Sequence, residues 1–335
     1  MRVLVVKMSS LGDVIHTLPA LGDAARAMPD IAFDWVVEEA FAEIPAWHPA
    51  VREVIPVALR RWRKRPLRAL RGPEWRRARA ALRRQRYDVV IDAQGLLKSA
   101  FIALQVRSPR CGMDWRSARE PLASLAYRRR IAVPKDLHAV ERTRLLFARA
   151  LAYPAPVTPA DYGLRAAFAE GAGDAAAQPP HLLLFHGTAR AEKLWPRAHW
   201  VELARLAGQR GYTSWLPWGS ELEYERASGI AAAAGDCARV LPRLDLRGLA
   251  DRLRQVHAAV AVDTGLGHMA AALDVPAVSL YGPTDTRLIG AYGRRQVHIQ
   301  SPLKAVAAAD PQASMAAITP AQVWRELQTL LPAPD

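Results

Sequence analysis

Val3-Leu4-Val5-Val6-Lys7, followed by Ser9-Ser10-Leu11-Gly12-Asp13-Val14-Ile15, sets the fold class of the chain. The first run is short, apolar and rich in β-branched residues, as a buried strand requires. After the polar turn, Val14, Ile15, Leu18, Leu21 and Ala25 recur at helical spacing until Pro29 stops them. A strand, a turn and a helix in that order form the repeating unit of a parallel sheet. Phe33-Asp34-Trp35-Val36-Val37 reads as a second strand and Val54-Ile55-Pro56-Val57 as a weaker third. The unit returns at Tyr87-Asp88-Val89-Val90-Ile91-Asp92, with Ala93-Gln94-Gly95 as its turn and a helix from Leu96.

Residues 166–180 change composition to Ala, Gly and Pro, which suits a linker, and the strand-helix pattern then restarts. His181-Leu182-Leu183-Leu184-Phe185-His186 reads as a strand, 197–210 as a helix and Thr213-Ser214-Trp215-Leu216-Pro217-Trp218 as a strand. Helix, strand and helix follow to His257, and the strand Ala259-Val260-Ala261-Val262 leads into Asp263-Thr264-Gly265. Thr319-Pro320-Ala321-Gln322 combines an N-cap, a proline at the first helical position and a capping-box glutamine, so a last helix starts there. At 335 residues the chain exceeds what one core usually supports. The expectation is α/β, with two Rossmann-like doubly wound domains: residues 1–165, a linker at 166–180, residues 181–318 and a C-terminal helix in 319–335.

Cys111 and Cys237 stand far apart with no metal-ligand spacing, which argues against a disulfide scaffold or structural zinc. The opening apolar run is too short for a secretory signal, and no segment reaches transmembrane length, so a soluble or peripheral protein is expected. The formal charge is +14, and residues 60–86 supply most of it, with 13 Lys/Arg against the single acid Glu74. A patch that concentrated points to a polyanionic partner: nucleic acid, an anionic membrane or a phosphorylated substrate.

In an open α/β sheet, ligands gather where strand carboxyl ends meet helix amino termini, because the unpaired N–H groups there attract anions. Three such junctions carry chemistry. Ser9-Ser10-Leu11-Gly12-Asp13 lacks the GxGxxG of a nicotinamide or flavin enzyme; Asp13 suits both a helix-start carboxylate and a catalytic base. Asp263-Thr264-Gly265-Leu266-Gly267-His268 offers two glycines for close backbone approach, a hydroxyl and an imidazole, which suits a diphosphate. The third, residues 186–196, carries Thr188 and the cation Lys193, which could neutralise charge on a departing nucleotide. Glu223, with its neighbour Glu221, follows Pro217-Trp218-Gly219, where a carboxylate accepts ribose hydroxyls or simply starts a helix.

Several longer motifs then carry a resemblance. They are Val36-Val37-Glu38-Glu39, Arg60-Arg61-Trp62-Arg63-Lys64, Asp92-Ala93-Gln94-Gly95-Leu96-Leu97-Lys98-Ser99 and Arg119-Glu120-Pro121-Leu122-Ala123-Ser124. With them go His138-Ala139-Val140-Glu141-Arg142, Val262-Asp263-Thr264-Gly265 and Tyr281-Gly282-Pro283-Thr284-Asp285. In this order, over nearly the whole chain, they resemble the lipopolysaccharide heptosyltransferase I family. That resemblance implies a GT-B architecture, two Rossmann-like domains facing across a cleft. It implies transfer of heptose from ADP-heptose to the Kdo of Kdo2-lipid A, with inversion and without a metal or other cofactor. Carried over by motif, Asp13 is the general base and Lys193 relieves the leaving group. Thr188, Lys193, Asp263, Thr264, Gly265 and His268 contact diphosphate and heptose, Glu223 the ribose and Leu244 the adenine. The acceptor falls to Ser10, Arg60, Arg61, Arg63, Lys64, Lys98 and Arg119.

The basic segment divides on this reading. Arg60 to Lys64 form a loop for a phosphorylated head group, while Arg76, Arg79, Arg83 and Arg86 lie on one helical stripe toward anionic lipid. The expected location is cytoplasmic, peripheral on the cytoplasmic face of the inner membrane. Three alternatives compete: a heptosyltransferase for a later heptose, a nucleic-acid-binding protein and a non-catalytic membrane adaptor. No helix-turn-helix, zinc-finger or RNA-recognition signature accompanies the basic run, so nucleic acid is not an expected partner.

Overall fold

The computed structural model describes residues 1–168, 180–304 and 310–332. The chain divides into two compact units, Met1–Ala167 and Phe168–Asp335. The first holds β1 (Arg2–Val6), β2 (Ala32–Glu38), β3 (Val51–Val57), β4 (Val89–Asp92), β5 (Arg110–Met113) and β6 (Arg129–Ile131) in one parallel sheet of order β3-β2-β1-β4-β5-β6. The second holds β7 (His181–Phe185), β8 (Thr213–Leu216), β9 (Ala238–Val240), β10 (Ala258–Val262), β11 (Ala277–Tyr281) and β12 (Gln296–Gln300), ordered β12-β11-β10-β7-β8-β9. Each order reverses direction once, between β1 and β4 and between β7 and β10. Those are the switch points at which open α/β sheets bind ligands.

The central strands are buried on both faces, which is why β1, β4, β7 and β10 read as continuous apolar runs. In the first unit Leu4, Val6, Val36 and Val90 pack against Trp75 and Leu82. In the second, Trp195 and Trp200 fill the space beside Val260 and Leu280, and the Trp195 indole donates to the carbonyl of Ile318 at 2.9 Å. The last helix, Pro320–Gln328, buries Val323 and Leu327 in this same core, so it belongs to the second unit rather than standing apart. Its Thr319 cap receives the N–H of Gln322.

Local departures have local causes. The expected first helix is two, Leu11–Ile15 and Leu18–Ala27, because Pro19 lacks the N–H needed to continue the first through it. Within the expected linker, 166–168 form one tight turn and Arg247 stacks on Phe168, while 169–179 lie outside the described residues.

A buried histidine makes the first unit acid-sensitive. His48 accepts the Ala50 N–H at 3.2 Å through Nδ1, and burial lowers its pKa to about 4, with Asp161 pulling the other way. Between 6.5 and about 4 the unfolded chain takes up a proton that the folded chain does not, so stability falls as the pH falls through that window. Urea unfolding at pH 5 should show about 2 kcal/mol less stability from this group than at pH 7. His48→Gln should lose that part of the pH dependence; an unchanged pH profile would assign it elsewhere.

Candidate active site

Asp13 stands at the switch point of the first sheet, in the helix that follows β1. Its Oδ2 accepts the N–H of Ser10 at 2.9 Å and the hydroxyl of Ser10 at 2.8 Å, a capping box that fixes the carboxylate's direction. Its Oδ1 lies 3.6 Å from the ammonium of Lys7, and its side chain is 39% exposed. Lys7 is buried and donates to the carbonyl of Ala93 at 3.1 Å, which bridges the ends of β1 and β4. Gln94 holds the same turn from the other side, accepting the Met8 N–H at 2.8 Å and donating to the Ser9 carbonyl at 3.1 Å. Neither Lys7 nor Gln94 figures among the residues expected from sequence. The available signal was a lysine closing an apolar strand.

Lys98 joins this junction by donating to the Ser9 hydroxyl at 3.0 Å. Partial desolvation holds its ammonium below the ordinary range; Glu38 opposes that, and repulsion from Arg60 and Arg63 adds to it. Lys98, Arg60 and Arg63 line one cavity of about 260 Å³, whose apolar wall is Trp62, Trp75 and Phe101. Trp75 stacks on Phe101 at 5.5 Å and meets Trp62 edge-on at 5.8 Å. Buried Glu38 accepts the Arg60 N–H at 2.8 Å and so sets the start of the turn that carries these cations.

The basic segment differs from its expected form in three respects. Arg60 to Lys64 are not a loop: Leu59–Trp62 is a helical turn, followed by helices Pro66–Arg71 and Pro73–Arg83. Arg61 does not share the cavity of Arg60 and Arg63; it is bound to Glu74 at 2.8 Å and Glu39 at 3.1 Å, while Lys64 lines a separate depression with Arg65 and Arg68. The arginine stripe is exposed at Arg76, Arg79 and Arg83, but the helix ends there and Arg86 lies beyond it. Arg119 is exposed, with its backbone N–H side against Gly95, whose φ of +66° favours glycine.

At the second switch point, between β7 and β10, the other junctions converge. Lys193 donates to Asp263 Oδ2 at 2.5 Å, and the Thr284 hydroxyl donates to the same oxygen. Thr188 donates to the Asp263 carbonyl at 3.1 Å. Thr264 is the N-cap of helix Gly265–Ala272 without a side-chain capping bond, and His268 is buried one turn in. Thr284 is a site residue that its sequence motif alone does not assign; its signal is a hydroxyl in the turn that follows strand β11, Ala277–Tyr281. Glu223 caps the start of helix Glu221–Ala234 and also faces a cavity. Its Oε2 accepts the N–H groups of Gly219 at 2.8 Å and Ser220 at 3.1 Å, and it lines a cavity of about 240 Å³ with Gly187, Trp218, Leu244 and Leu266. A Cβ at Gly187 would meet the Glu223 carboxylate and displace it, so glycine there lets the carboxylate keep its place. An apolar slot beside a carboxylate and a helix start has the chemistry of a nucleotide site.

The family profile of glycosyltransferase family 9 (heptosyltransferase) matches residues 75–318. The chain belongs to glycosyltransferase family 9. Lipopolysaccharide heptosyltransferase 1 of Pseudomonas aeruginosa is 59% identical to this glycosyltransferase over 302 residues, 90% of this chain and 84% of that one. The structure of E. coli heptosyltransferase WaaC with ADP matches at a TM-score of 0.90 and 46% identity, covering 98% of this chain and all of that one (100%). The WaaC structure with ADP-2-deoxy-2-fluoro heptose matches at 0.86 and 44%, covering 98% and 99%. The chain is thus an enzyme, a heptosyltransferase of two α/β domains, and the nucleic-acid and adaptor readings are not favoured. Among the described residues no group of three or more His, Cys, Asp or Glu could hold a metal ion, and no helix is long and apolar enough to cross a membrane.

Proposed function

We propose that this heptosyltransferase moves heptose from ADP-heptose to the Kdo of Kdo2-lipid A in a single inverting displacement. The observation that carries the reading is the division of labour between the two switch points. A directed carboxylate, Asp13, lies at one, and a cation, a helix start and an apolar slot lie at the other. The acceptor hydroxyl gives its proton to Asp13 as its oxygen attacks the anomeric carbon, and the bond from that carbon to the diphosphate breaks on the opposite face. Lys193 and the N–H groups at the start of Gly265–Ala272 take up the charge left on ADP, a role we assign to them rather than to a metal. Asp263 and Thr284 aim Lys193, while Thr188, Thr264, Gly265 and His268 surround diphosphate and heptose. Glu223 receives the ribose and Leu244 lies against adenine. The deciding assay is release of ADP from ADP-heptose that depends on Kdo2-lipid A. Release only with an acceptor already bearing heptose would move the enzyme to a later step.

Ser10, Arg60, Arg63, Lys98 and Arg119 are assigned to the acceptor, with Lys64 at its edge. We place the enzyme on the cytoplasmic face of the inner membrane, since its donor is a nucleotide sugar and its acceptor a membrane lipid. Arg60→Ala and Arg63→Ala should each raise the acceptor KM about tenfold, the loss expected of one charge-assisted contact, without altering ADP affinity. Arg61→Ala should do less, because Arg61 is committed to Glu39 and Glu74. The effects should shrink as salt is raised. Equal effects at all three positions would mean that the cavity does not select the cations that bind acceptor.

A further inference from the structure

The expected membrane contact, the arginine stripe of Pro73–Arg83, is not where the first unit exposes apolar surface. Helix Leu97–Ala103 buries Ser99, Ala100, Ile102 and Ala103 and turns Leu97 and Phe101 outward, and Leu104 continues that face one turn on. These three are 51%, 41% and 51% exposed at steps of four and three residues, so they form one stripe. Beside it, the short helix Pro121–Ala126 presents Leu122 at 55% and Leu125 at 62%. The two elements are packed together: Ala100 meets Ala123 and Tyr127 in a small buried cluster, and the Leu97 N–H donates to the Glu120 carboxylate at 2.6 Å. Five large aliphatic and aromatic side chains therefore emerge from one platform.

The platform is cationic as well as apolar. Residues 95–130 contain eight Lys/Arg against two acids, Asp114 and Glu120, and both of those carboxylates accept backbone N–H groups. Arg107, Arg116, Arg119 and Arg128 of that stretch are all exposed. Exposed apolar side chains and exposed cations on the same stretch match an anionic bilayer, with the side chains among the acyl chains and the guanidinium groups at the phosphates. The face is also continuous with the acceptor cavity, because Phe101 belongs to both. We infer that the face formed by Leu97, Phe101, Leu104, Leu122 and Leu125 inserts into the surface of an anionic lipid bilayer, and that it, not the arginine stripe, seats the enzyme there. This rests on the reading of the acceptor as a lipid. A seated platform holds the cavity at head-group level, where a lipid-borne sugar meets it without leaving the bilayer.

The test uses the full chain and vesicles of phosphatidylcholine with and without phosphatidylglycerol, read by co-sedimentation. Leu104→Asn/Leu122→Asn/Leu125→Asn should lower partitioning into anionic vesicles at least about tenfold, given the apolar area withdrawn from lipid. It should keep parental ADP affinity, which verifies folding, and parental transfer to a soluble, deacylated Kdo acceptor. Arg76→Gln/Arg79→Gln/Arg83→Gln should bind vesicles within a few-fold of the parent. Parental vesicle binding by the leucine variant overturns the inference, as does loss of binding in the arginine variant alone. If the parent chain is a dimer that the leucine substitutions dissociate while vesicle binding persists, the face is a self-association surface and the inference fails. Absence of transfer to the deacylated acceptor by the parent chain would count instead against the proposed acceptor, whatever the vesicles show.

Discussion

Asp13→Asn should lower kcat for heptosyl transfer by about 10²- to 10⁴-fold, the range general-base catalysis supplies, and leave ADP affinity at its parental value. The substitution is close to isosteric, and its amide oxygen can still accept the N–H of Ser10 as Oδ2 does now, so the start of the helix should persist. What it removes is the capacity to take the acceptor proton. It also leaves the buried ammonium of Lys7, now 3.6 Å from Oδ1, facing a neutral group. Ser10→Ala separates the two functions of the carboxylate. It deletes the hydroxyl that directs Oδ2 but keeps the backbone N–H that does the same, so it should cost far less than Asp13→Asn. Steady-state release of ADP, alongside calorimetric titration with ADP, measures both effects. Near-parental turnover by Asp13→Asn would show that the carboxylate is only a helix cap.

The strands that decide the topology were legible because burial on both faces forces an unbroken apolar run, which β1, β4, β7 and β10 all have; in β2 the run is Trp35-Val36-Val37, after the buried Asp34. Strands β5 and β6 carry no such signature. Arg110-Cys111-Gly112-Met113 and Arg129-Arg130-Ile131 lie toward the sheet's edge, where the arginines reach out to backbone carbonyls of neighbouring segments and Gly112 makes room for the ring of Tyr127. The site was legible in proportion to how local it is. Asp13, Thr264 and His268 belong to turns whose chemistry is written in consecutive residues. The partners of those turns come from distant segments: Lys98 reaches Ser9 and Thr284 reaches Asp263 only once the sheet order is set. The basic segment shows the reverse case. Its charges are plain in sequence, but which of them are held by acids depends on Glu39 and Glu74 folding against Arg61, and no spacing rule supplies that.

Lys193→Met should reduce kcat by about 10²- to 10³-fold, the scale of removing one charge-stabilising group from a displacement, and weaken ADP binding by a smaller factor. The side chain sits on the short turn Ala191–Lys193, which follows the β7 junction, and only 14% of it is exposed. Its ammonium touches Asp263, so two roles are physically open: it neutralises the charge that grows on the departing diphosphate, or it merely balances a mostly buried carboxylate. A double variant separates them. If Lys193 only balances Asp263, then Asp263→Asn should rescue Lys193→Met, because the uncompensated charge is gone. If Lys193 acts on the leaving group, Lys193→Met/Asp263→Asn should remain as slow as Lys193→Met, since neither variant supplies a cation. Asp263→Asn alone should then lose less than Lys193→Met, because the ammonium itself is kept on its turn, though without its carboxylate partner. The split between kinetic constants gives an independent reading: charge that develops only as the bond breaks affects kcat more than donor binding. Rescue of turnover in the double variant would remove Lys193 from the chemistry and leave leaving-group stabilisation to the helix start at Gly265.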